Sequence, residues 1–319
     1  MSRVLVTGGA GFIGSHIVDA LIEVGHEVIV VDDLSTGRRR NVNPKGKFYQ
    51  IDIRSQELRS IFEHERPEYV NHHAAQIDVC HSVDNPLHDA SVNLLGSINL
   101  LECCRKYGAK KIIYASTGGA VYGEPEYLPC DEGHPVCPLS PYGVSKYAVE
   151  LYLRLYGQNY GLNYTILRYS NVYGPRQDPF GEAGVVAIFS LQMLMGEQVT
   201  INGSGEQERD FLYIEDCVKA NLLSVENGND QVYNLGTGKG TSINHLFEEM
   251  SQLTGYSYHP VHGPPRPGEV FRICLDADKA KKELEWCPTV RLQEGLERTL
   301  TYFQRQLTTM NNLPGTSQT

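Results

Sequence analysis

The sequence predicts an α/β fold in which a doubly wound parallel sheet carries a smaller, interleaved region toward its C-terminal end. Three observations predict it. Short apolar runs alternate with helical patterns from the N-terminus to about residue 170, the rhythm of strand–helix–strand units. The first run leads into a glycine-rich turn and then a helix, the order that sets a helix N-terminus under a phosphate. Past Arg168 the rhythm breaks into loops, short strands and irregularly spaced helices.

In order, Val4-Leu5-Val6 is the first strand, followed by Thr7-Gly8-Gly9-Ala10-Gly11-Phe12-Ile13-Gly14 and a helix whose apolar residues Ile17, Ala20, Leu21 and Val24 recur at helical spacing up to Gly25. Gly8 permits the tight turn, Gly11 lets the backbone approach a pyrophosphate, and Gly14 lets the helix pack close. The spacing is G-x-x-G-x-x-G rather than G-x-G-x-x-G. The second strand, 28–31, ends in Asp32-Asp33, about 20 residues beyond the loop. A carboxylate there bonds ribose hydroxyls and repels a 2′-phosphate, so the unit reads as a Rossmann-type site for NAD. Arg38-Arg39-Arg40 reads as a solvated loop.

A strand over 48–51, a helix over 55–64 and a strand over 69–72 continue the alternation into His73-Ala74-Ala75-Gln76. One long helix is expected over 86–107, with Pro86 in its first turn and Gly108 at its end. The strand 112–115 then delivers Ser116-Thr117 to the carboxyl end of the sheet, where open parallel sheets bind ligands. A sixth strand, 164–168, follows the helix that runs to about residue 160. Residues 171–184 read as loop. Gly236-Thr237-Gly238-Lys239-Gly240 lacks the G-x-x-x-x-G-K-[ST] spacing and reads as a turn before a helix near Ser242. The expected division is a cofactor domain over 1–170 with 211–236 returning to it, a substrate domain over 171–210 and 237–310, and a flexible tail over 311–319.

Composition bounds the function. A chain of 319 residues with 41% hydrophobic content can bury a normal core. Its formal net charge of −10, with no basic run beyond those three arginines, excludes nucleic acid or an anionic membrane as the main partner. No apolar stretch approaches about 18 residues and the start lacks a leader pattern, so a cytoplasmic protein is expected. The 8 cysteines include no C-x-x-C pair and the 11 histidines are dispersed, so neither a disulfide framework nor a metal is expected.

The chemistry centres on Tyr142-Gly143-Val144-Ser145-Lys146. On a helix, residues four apart share one face about 6 Å apart along the axis, so the phenol and the ammonium share one small site. An ordinary phenol is a poor base at neutral pH, and a nearby cation stabilises the phenolate. Tyr107 and Lys111 have the same spacing but fail on context, because Gly108 ends one helix and Lys111 begins a strand.

With the glycine loop, Ser116-Thr117 and Tyr142-x-x-x-Lys146 in this order, the chain resembles the extended short-chain dehydrogenase/reductases, the NAD-dependent epimerase/dehydratase group, and among them the UDP-glucose 4-epimerases. His73-Ala74-Ala75, Leu167-Arg168-Tyr169-Ser170-Asn171-Val172-Tyr173-Gly174-Pro175-Arg176, Arg209-Asp210-Phe211 and Arg266-Pro267-Gly268-Glu269 extend the resemblance over about residues 1–305. It implies that Gly8, Gly11, Phe12, Ile13, Gly14, Asp32, Asp33, Leu34, Ser35, Thr36, Gly37, Asp52, Ile53, His73, Ala74, Ala75, Gln76, Asn93, Ala115, Tyr142, Lys146 and Tyr169 surround NAD. It implies equally that Thr117, Tyr142, Asn171, Val185, Arg209, Arg266 and Glu269 hold a UDP-sugar, the guanidinium groups suiting phosphate oxygens. A homodimer through the helices near 86–107 and 141–160 is implied as well.

Family epimerases often read Ser-Ser-Ser-Ala-Thr-Val-Tyr-Gly where this chain reads Ser116-Thr117-Gly118-Gly119-Ala120-Val121-Tyr122-Gly123. Counting back from Tyr122 puts the usual serine on Gly118, which has no side chain to donate. Counting back from Tyr142 puts it on Thr117, with Ser116 as the second candidate. The implied reaction takes the 4′-hydroxyl proton onto Tyr142, passes through a 4′-keto sugar and returns the hydride to the other face. Dehydratases and decarboxylases of the fold carry acids just after the threonine, and here only Gly, Gly, Ala and Val stand before Tyr122. UDP-glucuronate 4-epimerase shares the core chemistry and stays open; a plain alcohol dehydrogenase would release NADH, and a non-catalytic NAD sensor would tend to lose Tyr142 or Lys146. By resemblance the position of Ile273 tunes access for an N-acetyl group, and its intermediate size leaves N-acetyl sugars undecided.

Overall fold

In the computed structural model the described residues are 1–180, 184–265 and 269–311. Arg266 and, apart from Asn311, the expected tail lie outside them. The alternating apolar runs form β1 (Arg3–Thr7), β2 (Glu27–Asp32), β3 (Lys47–Gln50), β4 (Tyr69–His72), β5 (Lys111–Thr117) and β6 (Asn163–Tyr169). With the strand Gln231–Leu235 they make one seven-stranded sheet, ordered from that strand through β6, β5, β4, β1 and β2 to β3, parallel throughout. The order reverses between β1 and β4, and such a switch point opens a crevice at the carboxyl ends of the strands.

Both faces of the sheet are buried, as near-continuous apolar strands require. Leu5, Ile29 and Val31 point to one side, against Leu58, Phe62, Leu100, Leu101, Val149 and Leu153 of the helices Glu57–Glu65, Gly96–Tyr107 and Pro141–Tyr160. Val4, Val6, Val28 and Val30 point to the other, against Ile17, Val18, Leu21, Cys217 and Ala220 of the helices Phe12–Glu23 and Ile214–Glu226. A third apolar cluster joins Phe189, Met193, Leu246, Met250, Leu296 and Leu300 with Tyr173, Phe211 and Tyr213. It lies under the helices Val185–Met195, Ile243–Thr254 and Leu292–Asn311.

Several local expectations meet the structure closely. The helix Pro141–Tyr160 starts at the Ser140 N-cap, whose hydroxyl accepts from Gly143 N, and stops at left-handed Gly161. Gly108 is likewise a left-handed stop, so Tyr107 and Lys111 belong to different elements. The helix before Gly108 is not one regular piece: Pro86–Asp89 is α, Ala90–Leu95 is a π turn and Gly96–Tyr107 is α again. The short helix Val79–Asp84 falls between the expected elements, and the strand Asn171–Tyr173, paired with Phe211–Tyr213, stands where a loop was expected. Val24, expected on the apolar face of its helix, is 59% exposed because the helix ends at Glu23. Among the described residues no helix is long and apolar enough to cross a membrane.

Candidate active site

Two cavities meet at the carboxyl ends of the strands. The smaller, about 220 Å³, runs from the glycine loop past Asp32, Asp33, Ser35 and Thr36 to Ala115 and Lys146. The larger, about 570 Å³, extends from Thr117 and Gly119 to Asn171, Arg209 and Glu269. Phe12, Ile13, Ile77, Ser116, Tyr142 and Tyr169 line both.

The smaller cavity is shaped by backbone. Gly8 sits at φ +69, and a Cβ there would meet Ala74 N at 2.6 Å, so the loop after β1 closes on the end of β4. A Cβ on Gly14 would lie 2.2 Å from Gly8 O. Gly11 caps the following helix without a side chain, which leaves the first-turn N–H groups facing an anion site. Asp32 accepts from Ala10 N (2.9 Å) and Leu34 N (2.8 Å), tying the second strand to the loop. Burial raises the Asp32 carboxyl above its ordinary value, and those two N–H bonds pull the other way. The residues fit a dinucleotide whose ribose keeps its 2′-hydroxyl: Asp32 and Asp33 line that end of the cavity, and Lys146 at the other end is its only lining Lys or Arg among the described residues. No group of three or more His, Cys, Asp or Glu among the described residues is placed to hold a metal ion.

Tyr142 is half-buried in the wall between the cavities, and Lys146, one turn on, is buried. The Lys146 ammonium donates to Ala115 O (2.7 Å) and lies 4.8 Å from the Tyr114 ring centroid and 6.0 Å from that of Tyr142. Burial brings Lys146 down to about 8, while the Asp89 and Glu150 carboxylates act upward. Burial, and then Asp89, hold the Tyr142 phenol above its ordinary value, because stripping water from a phenolate outweighs an ammonium held against a carbonyl. His73, stacked on Tyr169 with Nε2 3.0 Å from its hydroxyl, is lowered to about 3 by burial and then by Lys146, so it is neutral.

The two candidate hydroxyls part company at the end of β5. Successive strand residues face opposite ways. Ser116 Oγ donates to Glu150 Oε1 (2.6 Å), inside a buried ion pair of Glu150 with Arg168. Ser116 and Thr117 both line the larger cavity, so what separates them is the bond to Glu150 that engages the Ser116 hydroxyl. A Cβ on Gly118 would meet Leu275 Cδ1 at 2.4 Å, so a side chain there would require buried Leu275 to shift.

Of the residues expected around the cofactor, Leu34, Gly37, Gln76 and Asn93 do not line the smaller cavity. They hold what does: Leu34 N and close-packed Gly37 seat Asp32, and Asn93 accepts from Gln76 N (2.8 Å) and donates to Gln76 O (2.9 Å). The remaining ones line it, joined by Ile51, Ile77 and Val92, which no sequence signal marked. Thr117, Tyr142, Asn171, Val185, Arg209 and Glu269 all line the larger cavity. There Arg209 is ion-paired with Glu269 (2.6 Å) and donates to Glu208 O and Phe271 O. Sequence reasoning missed Gln177, Gln192, Asn202 and Gln207 in its wall; they come from an aperiodic stretch, and only their polarity among apolar neighbours could have drawn notice. Ile273 is buried with Val121, Tyr122 and Leu275 and does not line the cavity.

Residues 4–236 match the model of the NAD dependent epimerase/dehydratase family. A putative UDP-glucose 4-epimerase of Methanocaldococcus jannaschii is 52% identical over 94% of this chain and 98% of its own length. A crystal structure of a Thermotoga maritima UDP-glucose 4-epimerase with UDP-glucose superposes with a TM-score of 0.95 at 53% identity, covering 96% of this chain and 99% of that one. A Thermus thermophilus UDP-glucose 4-epimerase in complex with NAD gives 0.91 at 46% identity, covering 95% and 99%.

Proposed function

The chain belongs to the NAD dependent epimerase/dehydratase family, and from that premise we propose that it is a UDP-glucose/UDP-galactose 4-epimerase working through a transient 4′-keto sugar. The observation that carries this reading is that Tyr142 belongs to the walls of both cavities, so one phenol reaches a bound sugar beside a bound cofactor. NAD, when bound in the smaller cavity, supplies the hydride acceptor and donor and a positive charge near the phenol. Gly8, Gly11 and Gly14 admit its pyrophosphate, and Asp32 and Asp33 take its ribose. Tyr142 takes the 4′-hydroxyl proton and later returns it, Lys146 stabilises the phenolate, and Thr117 holds the reacting oxygen. Arg209 anchors the diphosphate while the uncharged walls near Thr117 leave the sugar free to turn over.

A neutral hexose suits this cavity better than a uronate. Among the described residues the Lys, Arg, Asp and Glu side chains in the larger wall are Arg209 and Glu269. Arg209 serves the diphosphate, which leaves a hexuronate carboxylate without a cation among the described residues. Exposed Val144, Leu151 and Leu155 on the helix Pro141–Tyr160, with Leu87 and Leu95 nearby in sequence order on the preceding helical run, support the homodimer that the family resemblance implies.

The test is a panel of UDP-sugars followed by NMR for inversion at C4′. Interconversion of UDP-glucose and UDP-galactose without net NADH release is expected, and Tyr142→Phe should slow it by about 10²–10⁴-fold. Wild-type turnover by Tyr142→Phe, or inversion confined to the glucuronate pair, would overturn the proposal.

A further inference from the structure

One buried acid beside the reacting pair has no part in the reaction as derived. Asp89 ends the helix Pro86–Asp89 and is 0% exposed. Its Oδ2 accepts from the hydroxyl of Ser145 (2.6 Å), the residue immediately before Lys146 on the catalytic helix. Its Oδ1 accepts from Asn93 Nδ2 (2.8 Å) and Gln76 Nε2 (3.2 Å). These three partners are neutral donors, an arrangement that satisfies a carboxylate without cancelling its charge. The preceding short helix, Val79–Asp84, also grips the start of the catalytic helix, since Tyr142 N donates to Ser82 Oγ (3.2 Å).

We propose that Asp89 is a positioning residue of the Tyr142–Lys146 pair: a fixed negative charge, tied through Ser145 to the catalytic helix, that favours the ammonium and opposes the phenolate until a second cation enters the site. The proposal rests on Tyr142 being the base argued above. A like charge in a poorly solvated site disfavours ionisation of its neighbour and an opposite charge favours it, and Asp89 acts on both groups in those senses. The other titratable groups around the pair are Tyr114 on β5, His72 at the end of β4 and His73 just after it, Tyr169 on β6, and Glu150 on the same helix, which Arg168 neutralises. None of these adds an unpaired anion, so after burial itself Asp89 is the group that opposes the phenolate, and its removal eases ionisation of the phenol. The consequence is a gate on proton abstraction. Without the positive nicotinamide the phenol keeps its proton; beside it, the balance of charge tips toward the phenolate.

The test reads Tyr142 directly. The chain has 19 tyrosines, so tyrosinate ultraviolet absorbance is titrated in the parent and in Asp89→Asn, each against the same protein carrying Tyr142→Phe, and the difference isolates one phenol. The Tyr142 step should move to lower pH by at least about one unit in Asp89→Asn, and the acidic limb of kcat/KM should follow. Ser145→Ala keeps the charge and breaks the tether, so its titration should stay near the parent's while kcat falls. Asp89→Ser removes the charge without burying a new amide and should reproduce the shift if Asp89→Asn does not fold. An unmoved Tyr142 step in the folded charge-free variant overturns the role given to Asp89. If Tyr142→Phe instead turns over normally, the assignment of the base fails, whatever the titration shows.

Discussion

Arg168→Met probes the ion pair that stands behind the reacting groups. Arg168 Nε and Nη2 donate to Glu150 Oε1 (3.0 Å) and Oε2 (2.6 Å), and Nη1 donates to Tyr122 OH (2.9 Å). Ser116 Oγ adds a fourth bond, to Glu150 Oε1 (2.6 Å), and the two charged side chains are 2% and 0% exposed. The pair thus joins β6 to the catalytic helix one turn past Lys146, and reaches β5 one residue before Thr117. Removing the guanidinium leaves a carboxylate with no water and one remaining donor, which costs about 3–5 kcal/mol. Replacing both partners, as in Glu150→Met/Arg168→Met, removes the uncompensated charge and leaves chiefly the Ser116 hydroxyl unmatched, a loss of about 1–3 kcal/mol. Equilibrium urea unfolding at constant pH measures both variants, with near-ultraviolet dichroism checking that the transition is two-state. A loss below about 1 kcal/mol for Arg168→Met, or a double variant less stable than the single one, would refute the account of a coupled buried pair.

Three further outcomes are expected. Gly14→Ala places a methyl where Gly8 O stands at 2.2 Å, so the loop must shift; retention of NAD, read by dialysis and absorbance, should fall at least about tenfold while the sheet stays folded. Thr117→Val should lower kcat by about 10²-fold or more with a smaller change in KM, and adding Gly118→Ser should not restore it, because Leu275 Cδ1 lies 2.4 Å from the new Cβ. Lys146 is lowered to about 8 from 10.5 by burial, so the unfolded chain binds the proton more tightly than the native one. The destabilisation is complete below about pH 8 and is relieved as pH rises toward 10.5. Lys146→Met should therefore be more stable than the parent at neutral pH, by on the order of 2 kcal/mol after the lost bond to Ala115 O, and inactive. That advantage should disappear at alkaline pH in thermal or urea melts; a constant difference across the range would contradict the burial argument.

Much of this protein is written in short stretches of sequence, because turns, caps and helical faces depend on residues a few places apart. The glycine turn before Gly14, the acids closing β2, the Ser140 cap and the four-residue interval from Tyr142 to Lys146 all take their conformations from such neighbours. So does the failure of Tyr107 and Lys111 to pair, decided by the glycine between them. Burial and long-range contact are properties of the packed whole, and there the sequence is silent. Only packing turns the Ser116 hydroxyl to a glutamate 34 residues further along and leaves Thr117 in the cavity. Only packing brings Asp89 against Ser145, 56 residues away and one residue before Lys146. The wall of the larger cavity that includes Gln177, Gln192, Asn202 and Gln207 is likewise assembled from segments with no period of their own. The sheet that gathers them supplies their order.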